Sequence, residues 1–289
     1  MTDTGGGATG DLVDTHCHLV LLRERGLLAA ALESAEAAGV AQIVSIGLDV
    51  DDSDQNRQIA ESHPGVWFTV GWHPHTKHAP DAAELRALRE LLDHPRAVAV
   101  GEVGLDWYWR PGYHEVPPEI QKASLRAMLE LAADVRKPVV VHDRDAHADT
   151  LEALREGLRT VANGRDPLEE PRGVLHCFSA GAAMAAHAAR LGMIASFAGT
   201  ITFPRSEETQ GAVRSVDARG YVVETDAPFL APVPHRGRTN LPGYVADTAA
   251  AVAKLRGVDA SNVSEQSTAT ARRLFALPPA AGANRVAAA

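Results

Sequence analysis

The heptapeptide Val13–Leu19, read Val-Asp-Thr-His-Cys-His-Leu, sets two histidines two positions apart. On a β-strand that spacing turns both imidazoles to one face and Cys17 to the other. His16 and His18 then converge on one point, and neutral imidazole is a good ligand for divalent transition ions. In a chain with 13 histidines the pair could arise by chance, so its meaning rests on its partners.

Those partners recur at the ends of apolar runs. A third run closes in Gly-Trp-His-Pro-His (71–75), a fourth in Gly-Glu-Val-Gly-Leu-Asp (101–106) and a fifth in Val-His-Asp-Arg (141–144). A sixth closes in Leu-His-Cys-Phe-Ser (175–179) and an eighth in Glu-Thr-Asp-Ala-Pro (224–228). A buried polar group without a partner costs about 1–3 kcal/mol in mutational data, so this repetition points to a shared purpose.

The elements that must position these residues alternate along the whole chain. Strand-length runs Leu12–Leu19, Ala41–Leu48, Val66–His73 and Ala97–Asp106 precede helical patterns at Gly26–Ala38, Asp51–Ser62, Asp81–Asp93 and Pro118–Arg136. Pro138–Asp143, Gly173–Ser179, Met193–Thr202 and Gly220–Ala227 precede Ala146–Val161, Gly181–Leu191, Ser206–Val216 and Tyr244–Leu255. Near-continuous Val/Ile/Leu/Ala strands separated by helices predict a parallel sheet covered on both faces. Eight such units in 289 residues predict an α/β fold of the TIM (β/α)8 barrel type, with an extra C-terminal helix at Val263–Phe275. Residues 1–10 read as a loose leader, 11–276 as a single barrel domain and 277–289 as a flexible tail.

Chemistry in such a barrel sits at the C-terminal ends of the strands, where these polar residues fall. Alternation places Val98, Val100 and Glu102 on one face, as it does Val140 with His142, Val174 with His176, and Val222 with Glu224 and Asp226. Four imidazoles, of His16, His18, His142 and His176, and two carboxylates, of Glu102 and Asp226, suffice for two divalent ions with one bridging carboxylate, and Glu102 is the candidate bridge.

Taken in order, the runs Asp-Thr-His-Cys-His-Leu, Gly-Trp-His-Pro-His, Gly-Glu-Val-Gly-Leu-Asp, Val-His-Asp-Arg-Asp-Ala, His-Cys-Phe-Ser and Glu-Thr-Asp-Ala-Pro resemble the TatD family of metal-dependent deoxyribonucleases, over residues 12 to about 275. The resemblance implies a TIM barrel of the metallo-dependent hydrolase superfamily. It implies one ion on His16, His18, Glu102 and Asp226 and a second on Glu102, His142 and His176; the family is usually regarded as using Mg whereas imidazole favours Zn, Mn, Fe or Co, and the expectation is two divalent ions, Mg, Mn or Zn. It further implies 3′-5′ exonuclease action on single-stranded DNA. Two departures stand out: Ala180 follows His-Cys-Phe-Ser where the family has Gly, and Arg238-Thr239-Asn240-Leu241-Pro242 replaces a family Arg-Asn-Glu-Pro run. Neither touches a ligand; the substrate contacts of that last loop are not carried over.

Asp226, beside the expected water, is the candidate general base, with Glu102 also counted as catalytic. His73 and Arg144 are candidate substrate contacts, Arg144 through phosphate. Glu224, one layer below Asp226, is expected to orient ligands from behind. Trp107, Tyr108, Trp109 and Tyr113 crowd the loop after the fourth run, a density suited to stacking bases or to lid duty. Cys17 and Cys177 read as small core residues facing the helices.

A net charge of −9 argues against a broad basic surface that grips duplex DNA, though not against a local site for one strand end. With no apolar stretch of about 18 residues, no membrane partner is expected. Two cysteines make no disulfide framework, and residues 1–10 carry no signal-peptide pattern, so a cytoplasmic monomer is the expectation. The alternative function is hydrolysis of a small ester, an amide or an aminoacyl-tRNA at the same centre.

Overall fold

The computed structural model describes residues 11–110, 112–158 and 166–280. The predicted leader, the last residues of the helix predicted over 146–161 and the tail from 281 lie outside these. Eight strands, β1 (Leu12–Cys17), β2 (Val40–Ser45), β3 (Val66–Val70), β4 (Ala97–Asp106), β5 (Val139–Arg144), β6 (Gly173–Leu175), β7 (Met193–Phe197) and β8 (Tyr221–Val223), pair in parallel in chain order. A bridge between Cys17 and Ala227 joins the last strand to the first. Backbone bonds from His18 N to Ala227 O (2.7 Å) and from Asp226 N to His16 O (2.9 Å) flank it. The barrel is therefore sealed at the same end as the candidate ligands.

Helices α1 (Leu19–Glu24), α2 (Leu28–Ala37), α3 (Val50–Ser62), α4 (Ala82–Leu92), α5 (Pro118–Val135), α6 (His147–Gly157), α7 (Ala182–Arg190), α8 (Glu207–Ser215) and α9 (Val245–Arg256) fill the crossovers. Local chemistry explains several ends. Asp81 and Glu84 form a capping box on α4. Pro118 opens α5, where a missing N–H costs nothing, and Gly257 closes α9 in the left-handed conformation. The short α1 was not expected; it begins one residue after His18.

The strands are shorter than predicted where they reach the site. β6 ends at Leu175 and β8 at Val223, because Cys177 (φ 43°) and Asp226 (φ 56°) turn the chain out of the ladder. The run from Met193 ends as strand at Phe197 and continues as a 3-10 turn over Gly199–Thr202.

Buried side chains form two layers. Val13, Val44, Val98, Val140, Val174 and Val222 fill the barrel interior, whereas Leu12, Cys17, Val100, Val103 and Val141 pack outward against the helices. Helix α10 (Ala260–Phe275) sends Leu274 and Phe275 to the interior cluster, and Thr268 Oγ1 bonds Asp11 O, at the strand starts. At the start of the tail expected from 277, Leu277 is buried and the Pro278 carbonyl accepts from Gln42.

The shared face predicted for Val98, Val100 and Glu102 is corrected. Val98 points inward and Val100 outward, because β4 carries one extra residue against β3, where Phe68 pairs Ala97 but Thr69 pairs Ala99. Such a bulge inverts the alternation beyond it. A second irregularity separates Val100 from Val103, on either side of Glu102. Likewise Val13 and Cys17, four apart, lie in opposite layers across a register shift between Asp14 and Cys17. The irregularities thus sit beside the residues that aim at the site. Two glycines permit the close backbone approach this needs: a Cβ on Gly71 would run into Gly47 O, and one on Gly104 into His142 O.

Candidate metal centre

Glu102, buried in β4, stands at the middle of the polar end of the barrel, and its two oxygens face different neighbours. Oε2 lies 3.4 Å from His16 Nε2 and 3.9 Å from His18 Nε2, both brought by the end of β1. Oε1 lies 2.8 Å from His176 Nε2, 2.9 Å from His142 Nδ1 and 3.5 Å from His73 Nε2. Asp226 completes the first side, with Oδ1 3.2 Å from His18 Nε2 and 3.7 Å from His16 Nε2. Ligands held at about 2.0–2.2 Å from an ion stand roughly 2.8–3.1 Å apart at right angles and roughly 3.3–3.8 Å apart at tetrahedral to trigonal angles, a span that takes in all of these separations but the 3.9 Å between Glu102 and His18.

The donor chemistry fits as well. Both ring nitrogens of His16 and Nδ1 of His18 are buried without a hydrogen-bond partner among the described residues, although a buried imidazole normally has one. His16, His18 and Asp226 form one donor group, and His73, Glu102 and His142 form another. Glu102 Oε2, 3.4 Å from His16 Nε2, joins the two groups, and His16 also stacks on His176 with centroids 3.9 Å apart.

Charge in the metal-free cluster is strongly coupled. Burial acts to raise the Glu102 pKa, but His176 first, then His73 and His142, hold it well below the ordinary carboxylate range. Burial acts to lower His176, and Glu102 outweighs it, keeping that imidazole protonated well above its usual range. Asp226 is held low against burial chiefly by His18. His73 is pushed down to about 4, mainly by burial, and is therefore neutral. Against burial, His18 and His142 are raised as well by their carboxylate neighbours, so protons stand where a cation would compete and metal uptake must release them.

Supporting residues fix these groups from behind. Glu224 accepts from Cys177 N at 2.7 Å and from Ser196 Oγ, and its Oε1 lies 3.4 Å from His176 Nδ1. That contact accords with an orienting position, although His16, His176 and Glu224 also lie close enough to share an ion. Asp106 performs the same service for His142, its Oδ2 lying 3.1 Å from His142 Nε2. Asp14 accepts from Thr225 N at 2.9 Å and Thr225 Oγ1 at 2.6 Å, tying β1 to the residue before Asp226, and burial raises its pKa to about 8. Asn240, in the loop that departs from the family pattern, donates to Thr225 O at 2.8 Å and Phe229 O at 2.6 Å. The loop therefore braces Asp226. Asp14, Asp106 and Asn240 were given no role from sequence; an acidic residue directly after the apolar pair Leu12–Val13, within a buried strand, was the available signal for Asp14.

Arg144 ends β5 at the rim. Its guanidinium lies over the Tyr108 ring at 4.0 Å and donates to Tyr113 Oη at 2.8 Å. The predicted aromatic cluster divides: Trp107 Nε1 bonds Asp149 and packs against the helical layer, whereas Trp109 is 66% exposed. Phe229, 43% exposed, faces the rim from the other side and meets His18 edge-on at 5.9 Å. A cleft of about 1310 Å³ opens over the centre, bounded among others by Trp72, His75, Tyr113, Arg144 and Phe229. Cys17 is buried in the helical layer as predicted, but Cys177 is not: it lies beyond β6 and lines the cleft. The left-handed turn at that residue redirects it.

Comparison with known proteins places this geometry among relatives. Residues 13–276 match the family model described as TatD related DNase. An uncharacterized metal-dependent hydrolase, TatD, of Mycobacterium tuberculosis is 35% identical over 92% of this chain and 98% of its own. A protein of Klebsiella pneumoniae named 3'-5' ssDNA/RNA exonuclease TatD is 32% identical over 84% of this chain and 89% of its own. The crystal structure of the TatD homologue YJJV from Escherichia coli K12 superposes with a TM-score of 0.82 at 27% identity, covering 93% of this chain and all of that one.

Proposed function

The chain belongs to the TatD-related DNase family and is a metal-dependent hydrolase; from that premise we propose that it removes nucleotides from the 3′ ends of single-stranded DNA with two divalent ions. The observation that carries this reading is the division of Glu102, one oxygen toward His16 and His18 and the other toward His142 and His176. On it, Glu102 Oε2 with His16, His18 and Asp226 would hold one ion, and Oε1 with His142 and His176 the other. When bound, the ions supply Lewis acidity at the phosphoryl oxygens and acidify a water toward neutral pH. Four imidazole ligands favour Mn or Zn over Mg.

The protein's own groups divide the remaining work. Asp226, ionised by its histidine neighbours, accepts the proton of the attacking water on its carboxylate as the phosphorus–oxygen ester bond breaks. Arg144, already held flat by Tyr108 and Tyr113, offers its fork to a phosphate. Trp109 and Phe229 offer exposed rings on which unpaired bases can stack. Neutral His73, against Glu102, stands where it can donate to or accept from a substrate oxygen. The cleft volume exceeds the ~300–1,000 Å³ usual for small-molecule pockets, which favours a strand end over a small ester or amide. Net charge −9 disfavours a duplex grip. All named ligands come from one chain, so a monomer suffices.

The test is turnover by metal-loaded protein, measured side by side on single-stranded DNA, duplex DNA, RNA and small esters. The reading expects the single strand to be cleaved fastest. Equal or faster turnover of small esters, with no nucleotide release from DNA, would overturn it.

A further inference from the structure

We infer that a third metal ion, outside the catalytic pair, binds between His75, Asp106 and His114 and clamps the aromatic loop at the mouth of the barrel. The three residues come from separate places: the loop after β3, the last position of β4, and the loop before α5. Their donor atoms nevertheless lie close enough to share one ion. His75 Nε2 is 2.9 Å from Asp106 Oδ2, His114 Nε2 is 3.7 Å from Asp106 Oδ1, and the two imidazoles stack with centroids 4.3 Å apart.

His114 is the telling member. Its side chain is only 5% exposed, and neither ring nitrogen has a hydrogen-bond partner among the described residues. A separation of 3.7 Å is too long for a hydrogen bond to Asp106. It is close to the spacing expected of two ligands that share an ion at about 2.0–2.2 Å. A buried imidazole aimed at a buried carboxylate, with no hydrogen bond to it or to any other described residue, is a donor that a shared cation would satisfy.

The surroundings suit a structural site. Asp106 also receives Tyr108 N at 2.9 Å and Tyr113 Oη at 3.1 Å, and its Oδ2 lies 3.1 Å from His142 Nε2. Outer bonds of this kind orient a ligating carboxylate. His75 borders the cleft and is 26% exposed on its side chain, which gives an entry path and leaves room for a water as fourth ligand. Two imidazoles and one carboxylate select a borderline ion such as Zn2+ or Co2+ over Mg2+. Bound there, the ion ties Tyr113 and His114 to the end of β4 and so fixes the rings on which Arg144 rests. The inference stands apart from the catalytic reading, because none of its three ligands belongs to the proposed pair.

The probe is Co2+. Full-length protein, stripped with chelator and reloaded, is desalted and its cobalt counted by elemental analysis. The expectation is about three ions per chain for wild type and about two for His114→Ala. His114→Cys should restore the third ion and add a thiolate-to-cobalt absorption band. Equal counts in wild type and His114→Ala, or a His114→Cys protein without the band, would overturn the third site. A count of two in both would do so while leaving the catalytic pair standing. Should circular dichroism show that His114→Ala fails to fold, the His114→Cys spectrum alone decides.

Discussion

Replacing Glu102 with Gln in metal-stripped protein isolates the electrostatics on which the centre is built. The side chain is 2% exposed, and its Oε1 sits 2.8 Å from His176 Nε2 and 2.9 Å from His142 Nδ1. An amide of the same shape keeps the packing and removes the charge. Removing one partner of a buried, hydrogen-bonded pair costs about 3–5 kcal/mol. For a domain of this size each kcal/mol moves Tm by about 2–4 °C, so the variant should melt roughly 6–20 °C lower. The effect must depend on pH with a definite sign. His176 has its pKa raised on folding, so its stabilisation is complete below its ordinary value of about 6.5 and fades as pH rises through the raised value. Glu102 has its pKa lowered, so its stabilisation is complete above about 4.5 and fades as pH falls through the lowered value. The gap between wild type and variant should therefore be widest between about pH 4.5 and 6.5 and should shrink in alkali. Calorimetric melts of both proteins in chelator at pH 5.5 and pH 9.5 measure it. A gap that is absent at pH 5.5, or wider at pH 9.5, would refute the coupling.

Three further perturbations separate roles. Asp226→Asn should keep at least one ion and most of the fold while losing about two or more orders of magnitude in single-turnover DNA cleavage, and a rate that recovers at saturating metal would reduce Asp226 to a ligand. Arg144→Ala should weaken DNA binding or turnover with metal content unchanged, as read by elemental analysis beside a cleavage assay. Asp14→Asn removes a carboxyl whose pKa is raised to about 8 by burial. Wild-type stability should fall as pH rises from about 4 through 8, by about 6 kcal/mol at most, and the variant should lack that slope in urea titrations.

Much of this architecture is legible in the chain because a parallel barrel writes a simple pattern: apolar runs, helical spacers and polar strand ends. β4 matches its predicted bounds, Ala97–Asp106, because both faces of that strand are buried and the apolar run ends where the site begins. What the pattern hides is geometry set by tertiary contacts. The bulge that turns Val98 inward and Val100 outward leaves no mark on composition, since both are valines in an alternating-looking run. The left-handed turns at Cys177 and Asp226 are equally silent, because non-glycine residues seldom take that conformation and nothing in the sequence flags the exception. His16, His18, Glu102, His142, His176 and Asp226 do converge, as type and spacing predicted. His114 escaped notice because it lies in a loop between elements, with no periodicity to aim it. Asp106 was visible at the end of its strand, but its partners come from three other segments.

The central claim is that strand ends are hydrolysed at the centre divided by Glu102, and labelled DNA tests it directly. One single strand is prepared twice, with the label on its 3′ end or its 5′ end, and metal-loaded wild type and Glu102→Gln are followed in parallel. The account predicts that wild type releases the 3′ label first as mononucleotide while the 5′-labelled strand shortens step by step, and that Glu102→Gln leaves both intact. Release of the 5′ label first, internal fragments from the outset, or wild-type rates from Glu102→Gln would contradict it.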